Sequence, residues 1–327
     1  MATQAHPLPP GTSHRLPPIG TRLPDRCHRS CAELDRQSER WARPYLEKHF
    51  GDADIARRYL RRRPNHFACS AFPTMRGDRA LDLTNLMIPV ALCDETFRDP
   101  GVTENYGATK ALHTRWSSVF AGREPPPSAD PVFRMVFTAI EAAERQMTPH
   151  LARRARRAWR EIADSHLDEA KRWPSATTVD LDRYLKARRT TALGWWLTTH
   201  LEYALGIDLC DLAVAPRLTA LRRAVVHHLV LVRDLYFFAP EPADPHPANA
   251  VGALVRRGRM SVQAAVDRLA QVLDETEIGF LERRTDILAG DLGPRSDVRA
   301  YVDGLGHLMS GNLRWAQEVS RPGAGSP

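Results

Sequence analysis

The chain has 327 residues, with 43% hydrophobic and 26% charged side chains and a formal net charge of +7. These proportions are those of a folded globular protein and exclude a globally disordered chain. No apolar run approaches the ~20 residues that a membrane-spanning helix needs, and the first residues lack the apolar segment of a secretory signal. We therefore expect no membrane span. The charge excess by itself fits a nucleic-acid surface as well as a single anionic pocket.

The cysteines indicate a reducing compartment. They are odd in number and scattered, and no two of them form a CxxC pair: Cys27, Cys31, Cys69, Cys93 and Cys210. This pattern favours reduced thiols over a disulfide framework or a zinc site. We therefore expect a cytoplasmic protein.

Both ends of the chain differ in composition from the middle. Residues 1–24 contain six prolines and no apolar periodicity, which predicts a flexible leader. The last residues, PGAGSP, predict a flexible tail over 322–327.

Between these ends the apolar residues recur at helical spacing, and no stretch alternates as a β-strand would. The proline-rich segment 123–130 could be a domain linker, but both sides are helical, so we interpret it as a surface loop. We predict one all-α domain over residues 25–321. The predicted helices span 31–49, 52–62, 65–71, 78–97, 105–120, 130–147, 149–170, 179–192, 195–205, 209–213, 216–239, 247–257, 261–289 and 295–319.

Two of the predicted helices are apolar on nearly every side, which is typical of helices buried at the centre of a protein. The first runs from Leu81 to Cys93 and the second from Leu221 to Phe238. Charged side chains that could form a binding site lie at the C-terminal ends of both helices.

The first of these helices ends in an acidic cluster of Asp94, Glu95 and Asp99. At ~100° per residue, Asp94 and Asp99 lie about 140° apart with Glu95 between them, so all three could face one cavity mouth. Oxygen ligands of this kind suit Mg²⁺. The alternative is a solvated last turn, although acidic side chains are unfavourable at the negative end of the helix dipole. These residues by themselves leave both interpretations open.

The segment FACSAFPTMRGDRALDLTNLMIPVALCDETFRD resembles bacterial class I terpene synthases (terpene cyclases). In that family an aromatic-Pro turn leads into an aspartate-rich motif, DDxxx(D/E). Asp94, Glu95 and Asp99 fall on the three acidic positions, with Glu95 in place of the second Asp. The resemblance implies that these three residues hold Mg²⁺.

The resemblance continues in order along residues 25–322. Trp41 matches a Trp of an early helix, and DLDRYLKARRTTALGWWL resembles a Y-x-x-x-R-R-x-T stretch whose second Arg senses diphosphate, here Arg189. YVDGLGHLMSGNLRWAQEVSRP resembles the family's C-terminal segment, whose last Arg binds diphosphate, here Arg321. The family also has a Gly that breaks the helix after the sensor Arg, and here Gly194 follows Leu193, so that break is shifted. The implied fold is an all-α barrel around an apolar cavity.

The second metal motif of the family, N-D-x-x-S-x-x-x-E, is degenerate in this chain. It matches residues 233–241, where Asp234 and Glu241 are kept, but Arg233 replaces the Asn ligand and Phe237 replaces the Ser ligand. Arginine has no acceptor and phenylalanine has no polar atom, so neither can bind a metal ion. Glu241 remains a candidate ligand, and we expect fewer than three Mg²⁺ ions. Pro240 should end the helix near Ala239.

Two hypotheses describe Arg233. As a permanent cation it could bind diphosphate directly in place of the missing ion. Alternatively, it pairs with Asp94, Asp99 or Glu241 and closes an empty site.

The resemblance implies a class I terpene cyclase that ionises a C15 or C20 isoprenoid diphosphate with Mg²⁺. Asp94, Arg189 and Arg321 are the expected catalytic residues, and Arg233 joins the two other arginines as a diphosphate ligand. The alternatives are a non-catalytic protein of this fold, or the same fold used for prenyl transfer or for an already cyclised diterpenoid diphosphate. Aromatic side chains that could line the cavity and stabilise a carbocation are Phe72, Phe97, Trp195, Trp196, Phe237, Phe238 and Trp315.

Two further patterns could indicate a nucleic-acid surface or a metal site, but both have a simpler interpretation. The basic run RRARRAWR, residues 153–160, is typical of a solvated helix face, so we expect no nucleic-acid binding. His227 and His228 lack partners at zinc-like spacing, so we interpret them as core histidines. A homodimer is left open.

Overall fold

The computed structural model describes residues 14–103, 105–172, 181–191, 193–212, 215–238, 249–258 and 260–320. All regular secondary structure in these residues is helical, which confirms the predicted all-α class. Among the described residues, no helix is apolar over a length that could cross a bilayer.

Fourteen α-helices occur in the described ranges. They are α1 (Cys31–Phe50), α2 (Ala53–Arg61), α3 (His66–Ala71), α4 (Gly77–Arg98), α5 (Pro100–Thr103), α6 (Tyr106–Phe120), α7 (Pro131–Glu144), α8 (Pro149–Arg172), α9 (Leu181–Thr191), α10 (Gly194–Leu205), α11 (Pro216–Tyr236), α12 (Ala250–Gly258), α13 (Val262–Ala289) and α14 (Ser296–Val319).

The two helices predicted to be central are central. In α4 nearly every residue from Leu83 to Cys93 is buried, and α11 is buried on several sides from Leu218 to Leu235. Helix α11 packs against α13 and α14, and α4 packs against α7 and α1. Burying both helices brings their C-terminal ends, at Asp94 and Arg233, to one place.

Helix α14 approaches α3 closely because α14 carries a glycine at the crossing. A Cβ atom at Gly311 would lie 2.1 Å from the backbone oxygen of Ser70 and 2.6 Å from the nitrogen of Ala71. Any larger residue would therefore push the two helices apart.

The prediction of a flexible leader is wrong for residues 14–24. Leu23 is buried in the core, and Leu16 and Ile19 pack against the apolar cluster around α11 and α13. The Thr21 hydroxyl donates to Glu277 at 2.7 Å, and the Arg22 backbone N–H donates to the same carboxylate at 2.6 Å. Three apolar side chains and a buried carboxylate on α13 hold this segment in place despite its prolines.

Smaller differences concern the ends of elements. The predicted helix over 209–213 is a single 3₁₀ turn, Cys210–Leu212, and α11 ends at Tyr236, three residues before the predicted end. The short helix α5 was not predicted. The residues of the predicted tail, 322–327, lie outside the described residues.

The basic run on α8 is only partly solvated. Arg154 makes two hydrogen bonds to the buried carboxylate of Glu202, at 2.8 and 2.5 Å, and Arg156 pairs with Glu144. Trp159 is buried in the core. At least two of these arginines therefore serve the fold.

Candidate functional site

Asp94 lies in the last turn of α4 and is 4% exposed. Its Oδ2 atom accepts hydrogen bonds from Arg98 Nε at 3.0 Å and from Arg233 Nη2 at 2.9 Å. Its other oxygen, Oδ1, lies 3.5 Å from His166 Nε2. A buried carboxylate is thus surrounded by nitrogen atoms from three helices, α4, α8 and α11.

These neighbours set the charge of Asp94. Burial alone would raise its pKa, but Arg98, Arg233 and His166 together hold the pKa well below the ordinary value. Asp94 is therefore an anion across the physiological pH range. Burial and the like charge of Arg233 lower the pKa of Arg98.

His166 is positioned by an aromatic stack. Its ring lies parallel to that of Phe97, with centroids 4.7 Å apart and planes inclined by 6°. Both side chains are buried, Phe97 on α4 and His166 on α8. Phe97, expected to line a cavity, thus orients a histidine beside Asp94.

The other two residues of the acidic cluster, Glu95 and Asp99, have different partners. Glu95 pairs with Arg62 at 3.0 Å, and the exposed Asp99 accepts the Gly101 backbone N–H at 2.9 Å. Within the described residues, these two carboxylates and Asp94 are not a group whose ligand atoms lie within 4.8 Å of one another. A metal ion bound by all three would require side-chain rearrangement.

The residues fit one divalent ion better than a cluster of ions. Oδ1 of Asp94 is a buried oxygen without a close hydrogen bond in the described part of the chain, and a hard cation prefers such a ligand. At the second motif, Arg233 occupies the ligand position with a positive charge. The donor set therefore fits a cation at Asp94 and does not fit one at Arg233.

Asp234, next to Arg233, is used by the fold. It accepts the Tyr184 hydroxyl at 2.5 Å and the Ala250 backbone N–H at 2.9 Å, while the Asn249 side chain donates to its backbone oxygen at 3.0 Å. Burial raises the pKa of Asp234. This aspartate joins α9, α11 and the start of α12.

The structure brings Arg188 to this site in place of Arg189. Arg188 on α9 is 3% exposed. Burial alone would lower its pKa, but Tyr184, Glu169, Asp234 and Asp94 raise it.

The next residue, Arg189, faces away from the Asp94 cluster. Arg189 Nε donates to His227 Nε2 at 3.2 Å, and burial together with the charges of Arg189 and other groups lowers the pKa of His227 to about 4. The prediction chose the second Arg of the pair because of its place in the motif. The helical phase of α9 instead turns the first Arg inward, to the cluster around Asp94.

The break between α9 and α10 falls at Leu193, directly before Gly194. Leu193 adopts a left-handed conformation with φ of 60°, which a residue with a Cβ atom adopts only under strain. Gly194 begins α10, and a Cβ there would lie 2.4 Å from the Val226 side chain. The chain therefore uses its glycine for close packing on α11 and places a leucine at the turn.

The aromatic side chains that were expected to line a cavity differ in how far they are buried. Phe72, Phe97 and Trp196 are buried in the core, and Trp195 is half-buried. Phe237 is 44% exposed and tilts against Trp315, so it does not line an enclosed cavity as expected. Phe238 contacts the ring of His14.

Trp315 on α14 contacts α3 and the residue that follows α11, Phe237. Its ring contacts Phe67 edge-on at 5.6 Å, and its Nε1 donates to the Arg63 backbone oxygen at 3.4 Å. Two predicted site residues, Glu241 and Arg321, lie outside the described residues.

Sequence reasoning missed three members of this cluster. Arg98 could have been found, because it lies four residues after Asp94 on one helix face. His166 and Arg188 come from other helices, and only the packing of α8 and α9 against α4 and α11 reveals them.

The chain matches one family profile and is similar in sequence to several named proteins. The profile described as "Terpene synthase family 2, C-terminal metal binding" matches residues 85–277, more than half of the chain. Microbial Terpene synthase-like protein 13 of Selaginella moellendorffii is 20% identical over 95% of this chain and 87% of its own length. Sesquiterpene synthase 6 of Postia placenta is 28% identical over 47% of this chain and 45% of its own length.

A solved structure shares the fold. Hedycaryol synthase in complex with nerolidol superposes with a TM-score of 0.77 at 19% identity, covering 92% of this chain and 99% of its own. At this level of identity the likeness concerns the fold alone.

Proposed function

This chain belongs to terpene synthase family 2, and we propose that it is a class I terpene cyclase with an atypical second metal motif. In this proposal the enzyme ionises an isoprenoid diphosphate of 15 or 20 carbons and yields a cyclised terpene and diphosphate. A divalent cation, Mg²⁺, is the expected cofactor, with fewer than three ions bound.

The observation that carries the proposal is the buried, ionised carboxylate of Asp94 beside several cations. Departure of diphosphate from an allylic carbon requires cations that are already in place where negative charge develops. A Mg²⁺ ion bound through Asp94 would act there as a Lewis acid. Arg98, Arg188 and Arg233 supply permanent charges around the same carboxylate.

Each arginine has a distinct place in the proposal. Arg233 is 35% exposed and can move toward a ligand once Mg²⁺ competes for Asp94. Arg188 is buried and fixed, so it holds a leaving group without reorganisation. Arg321 remains a candidate diphosphate ligand, whereas Arg189 bonds to His227 and would reach diphosphate only after a change of side-chain direction.

A 15-carbon substrate is favoured over a 20-carbon one. Several relatives are named sesquiterpene synthases, one of which aligns with 47% of this chain, and sesquiterpenes have 15 carbons.

A second candidate function is a non-catalytic protein of the same fold. The ion pair of Arg233 with Asp94, at 2.9 Å, favours it, because this pair neutralises the carboxylate that would bind Mg²⁺. The two candidates differ in what happens to this pair when Mg²⁺ and diphosphate are both present.

The test is incubation of the protein with prenyl diphosphates of 10, 15 and 20 carbons, with and without Mg²⁺, followed by gas chromatography–mass spectrometry. We expect a cyclised hydrocarbon or alcohol from the 15- or 20-carbon substrate, formed only with Mg²⁺. Asp94→Asn should remove the product. Asp82→Asn is the matched control on the same helix, since Asp82 bonds to Tyr203 and Gln146 away from the cluster.

The absence of product from all three substrates would reject the cyclase. Binding of diphosphate without turnover would then support the non-catalytic alternative. An already cyclised diterpenoid diphosphate and a prenyl acceptor extend the same assay to the remaining alternatives.

A further inference from the structure

Three of the five cysteines, which look scattered in the sequence, meet in the folded chain. Cys27 precedes α1, Cys31 is its first residue, and Cys69 lies on α3. His66 on α3 and Asp35 on α1 complete the group. The cluster lies apart from the Asp94 site and has no role in the proposed reaction.

The ligand atoms are close enough to share one ion. The sulfurs of Cys27 and Cys31 and a ring nitrogen of His66 lie within 4.8 Å of one another. A second group with the same span consists of Cys31, Asp35 and Cys69. The two groups share Cys31, which is therefore the central member.

The geometry around His66 suits a metal ligand. Its Nδ1 atom lies 3.1 Å from the Cys31 sulfur, 2.9 Å from Asp35 Oδ2 and 2.7 Å from Arg63 Nη2. Its Nε2 atom lies 3.4 Å from a carboxylate oxygen of Glu318. A proton on Nε2, shared with Glu318, leaves the Nδ1 lone pair for an ion once the half-exposed Arg63 side chain turns toward solvent. Metal-bound histidines commonly have a carboxylate at the second ring nitrogen in this way.

We propose that Cys27, Cys31 and His66 bind a divalent metal ion of the Zn²⁺ class. Two thiolates and one imidazole are ligands that select zinc over Mg²⁺ or Ca²⁺. Asp35, whose Oδ2 atom lies 2.9 Å from His66 Nδ1, adds negative charge, and Cys69 is a further sulfur near Cys31. The site is distinct from the expected Mg²⁺ site in both position and ligand type.

One coordination position remains accessible. Cys27 is exposed and lines an open cleft of about 880 Å³ together with His28 and Met75. Water from this cleft can complete a four-coordinate zinc ion.

Binding exchanges protons for metal. A hydrogen bond to Cys31 and burial raise the pKa of Cys27. The contact with Cys27 alone would lower the pKa of Cys31, but Cys69 and burial raise it. Both groups are therefore neutral thiols before binding, and each releases its proton to water as its sulfur binds the ion. Metal affinity should fall as the pH falls.

An ion at this site would connect three parts of the fold. It would join the segment before α1 to α1 and α3, and through Glu318 it would contact α14. His66 is followed by Phe67, which touches Trp315. Metal binding would thus fix the position of α3 beside a predicted cavity aromatic.

The experiment is an anaerobic titration of the reduced, metal-free full-length protein with Co²⁺. Thiolate ligands give cobalt a near-ultraviolet charge-transfer absorption that oxygen ligands such as Asp94 do not give. We expect this absorption to saturate at about one ion per chain and to disappear when Zn²⁺ is added. The thermal midpoint of unfolding should rise with Zn²⁺ in the same protein.

Three variants test two of the proposed ligands and the carboxylate beside His66. Cys31→Ser and Cys27→Ser should each lose the charge-transfer band or weaken Co²⁺ binding by more than about 100-fold, beyond the effect of an outer partner. Glu318→Gln should weaken it by about 10- to 100-fold. Cys210→Ser is the control, because Cys210 is an exposed cysteine outside both groups and its loss should change nothing.

The proposal is overturned if the reduced wild-type protein shows no thiolate band, in which case the cysteines form a packing or redox cluster. It is equally overturned if Cys27→Ser binds Co²⁺ like the wild type. Cys27 is exposed, so this variant should keep the fold even if substitution of the half-buried Cys31 does not. Neither result depends on whether the chain is a cyclase.

Discussion

Arg233 on α11 donates a hydrogen bond of 2.9 Å to Asp94 on α4. The two residues lie 139 positions apart in the sequence, at positions that the family resemblance assigns to two different metal motifs. One oxygen of Asp94 serves both Arg233 and Arg98, so this carboxylate is neutralised in the absence of a ligand. A cation bound through Asp94, or a diphosphate group bound to Arg233, would compete with this pair.

Arg233→Gln should change the affinities for Mg²⁺ and diphosphate in opposite directions. Loss of the guanidinium removes a competitor for Asp94, so Mg²⁺ should bind more tightly. Diphosphate should bind about 10- to 100-fold more weakly, since a charge-assisted hydrogen bond contributes about 1.5–3 kcal/mol. Isothermal calorimetry with Mg²⁺ and with inorganic diphosphate measures both.

Arg123→Gln is the control for this variant, because Arg123 bonds to Ser118 on the surface and not to the cluster. Unchanged diphosphate affinity in Arg233→Gln would show that Arg233 only closes the site.

Arg188 and Arg189 should differ sharply as contributors to turnover. Arg188 is buried beside the Asp94 cluster, whereas Arg189 donates to His227. Arg188→Gln should lower kcat by at least about 100-fold, the size expected for a fixed donor to developing charge. Arg189→Gln should change kcat by less than about threefold, well below that size. Steady-state kinetics with the accepted prenyl diphosphate distinguish the two.

The opposite ranking would support the residue chosen from the sequence motif. Since Arg188 is buried, circular dichroism and Arg188→Lys, which retains the charge, separate a loss of function from a loss of fold.

The free energy of unfolding should fall between about pH 6.5 and pH 5 because two core histidines resist protonation. Burial lowers the pKa of His228 from 6.5 to about 3 and that of His200 from 6.5 to about 4. In this window the unfolded chain binds protons that the folded chain does not, so acid favours unfolding. Each histidine should contribute at most about 1.4 kcal/mol per pH unit.

Urea unfolding at several pH values measures this slope, and His228→Gln should make it shallower. His113→Gln is the matched control, since His113 pairs with Asp164 at the surface. The carboxyl of Asp94 titrates below this window and does not contribute to it. A slope that His228→Gln leaves unaltered would contradict the prediction.

Gly311→Ala should destabilise the fold by about 3 kcal/mol or more, because its methyl group would overlap the backbone of α3, which cannot rotate away. Gly306→Ala on the same helix is the control. The nearest atom to a Cβ there lies 3.4 Å away, so the variant should retain or slightly gain stability from the helix propensity of alanine. Thermal unfolding of the two variants compares them, and equal midpoints would show that α3 and α14 can separate at low cost.

Much of the fold was predictable because helical periodicity and proline breaks are local signals. The bounds of α1, α6 and α14 agree with prediction to within one residue, and the burial of α4 and α11 follows from their apolar content alone. The segment 14–24 was mispredicted because proline content says nothing about Leu23, whose side chain is buried only after α13 and α14 are in place.

The candidate site, like the fold, could be predicted only in part from local sequence patterns. Asp94 and Arg233 were identified from local patterns, since a charge at the end of an apolar helix is conspicuous in the sequence. The sequence motif points to Arg189, whereas Arg188 is the buried one of the pair. Adjacent residues on a helix point about 100° apart, and only packing decides which of them turns inward.

The sequence by itself determined that this chain is an all-α protein of the terpene synthase family, with an acidic cluster at the end of one buried helix and an arginine at the end of another. Tertiary structure alone decided that these two ends meet, that Arg98, His166 and Arg188 join them, and that three distant cysteines lie together. The reason is that helix formation depends on neighbours within a few residues. The charges, ligands and hydrogen bonds of a site depend on which helix faces pack against each other.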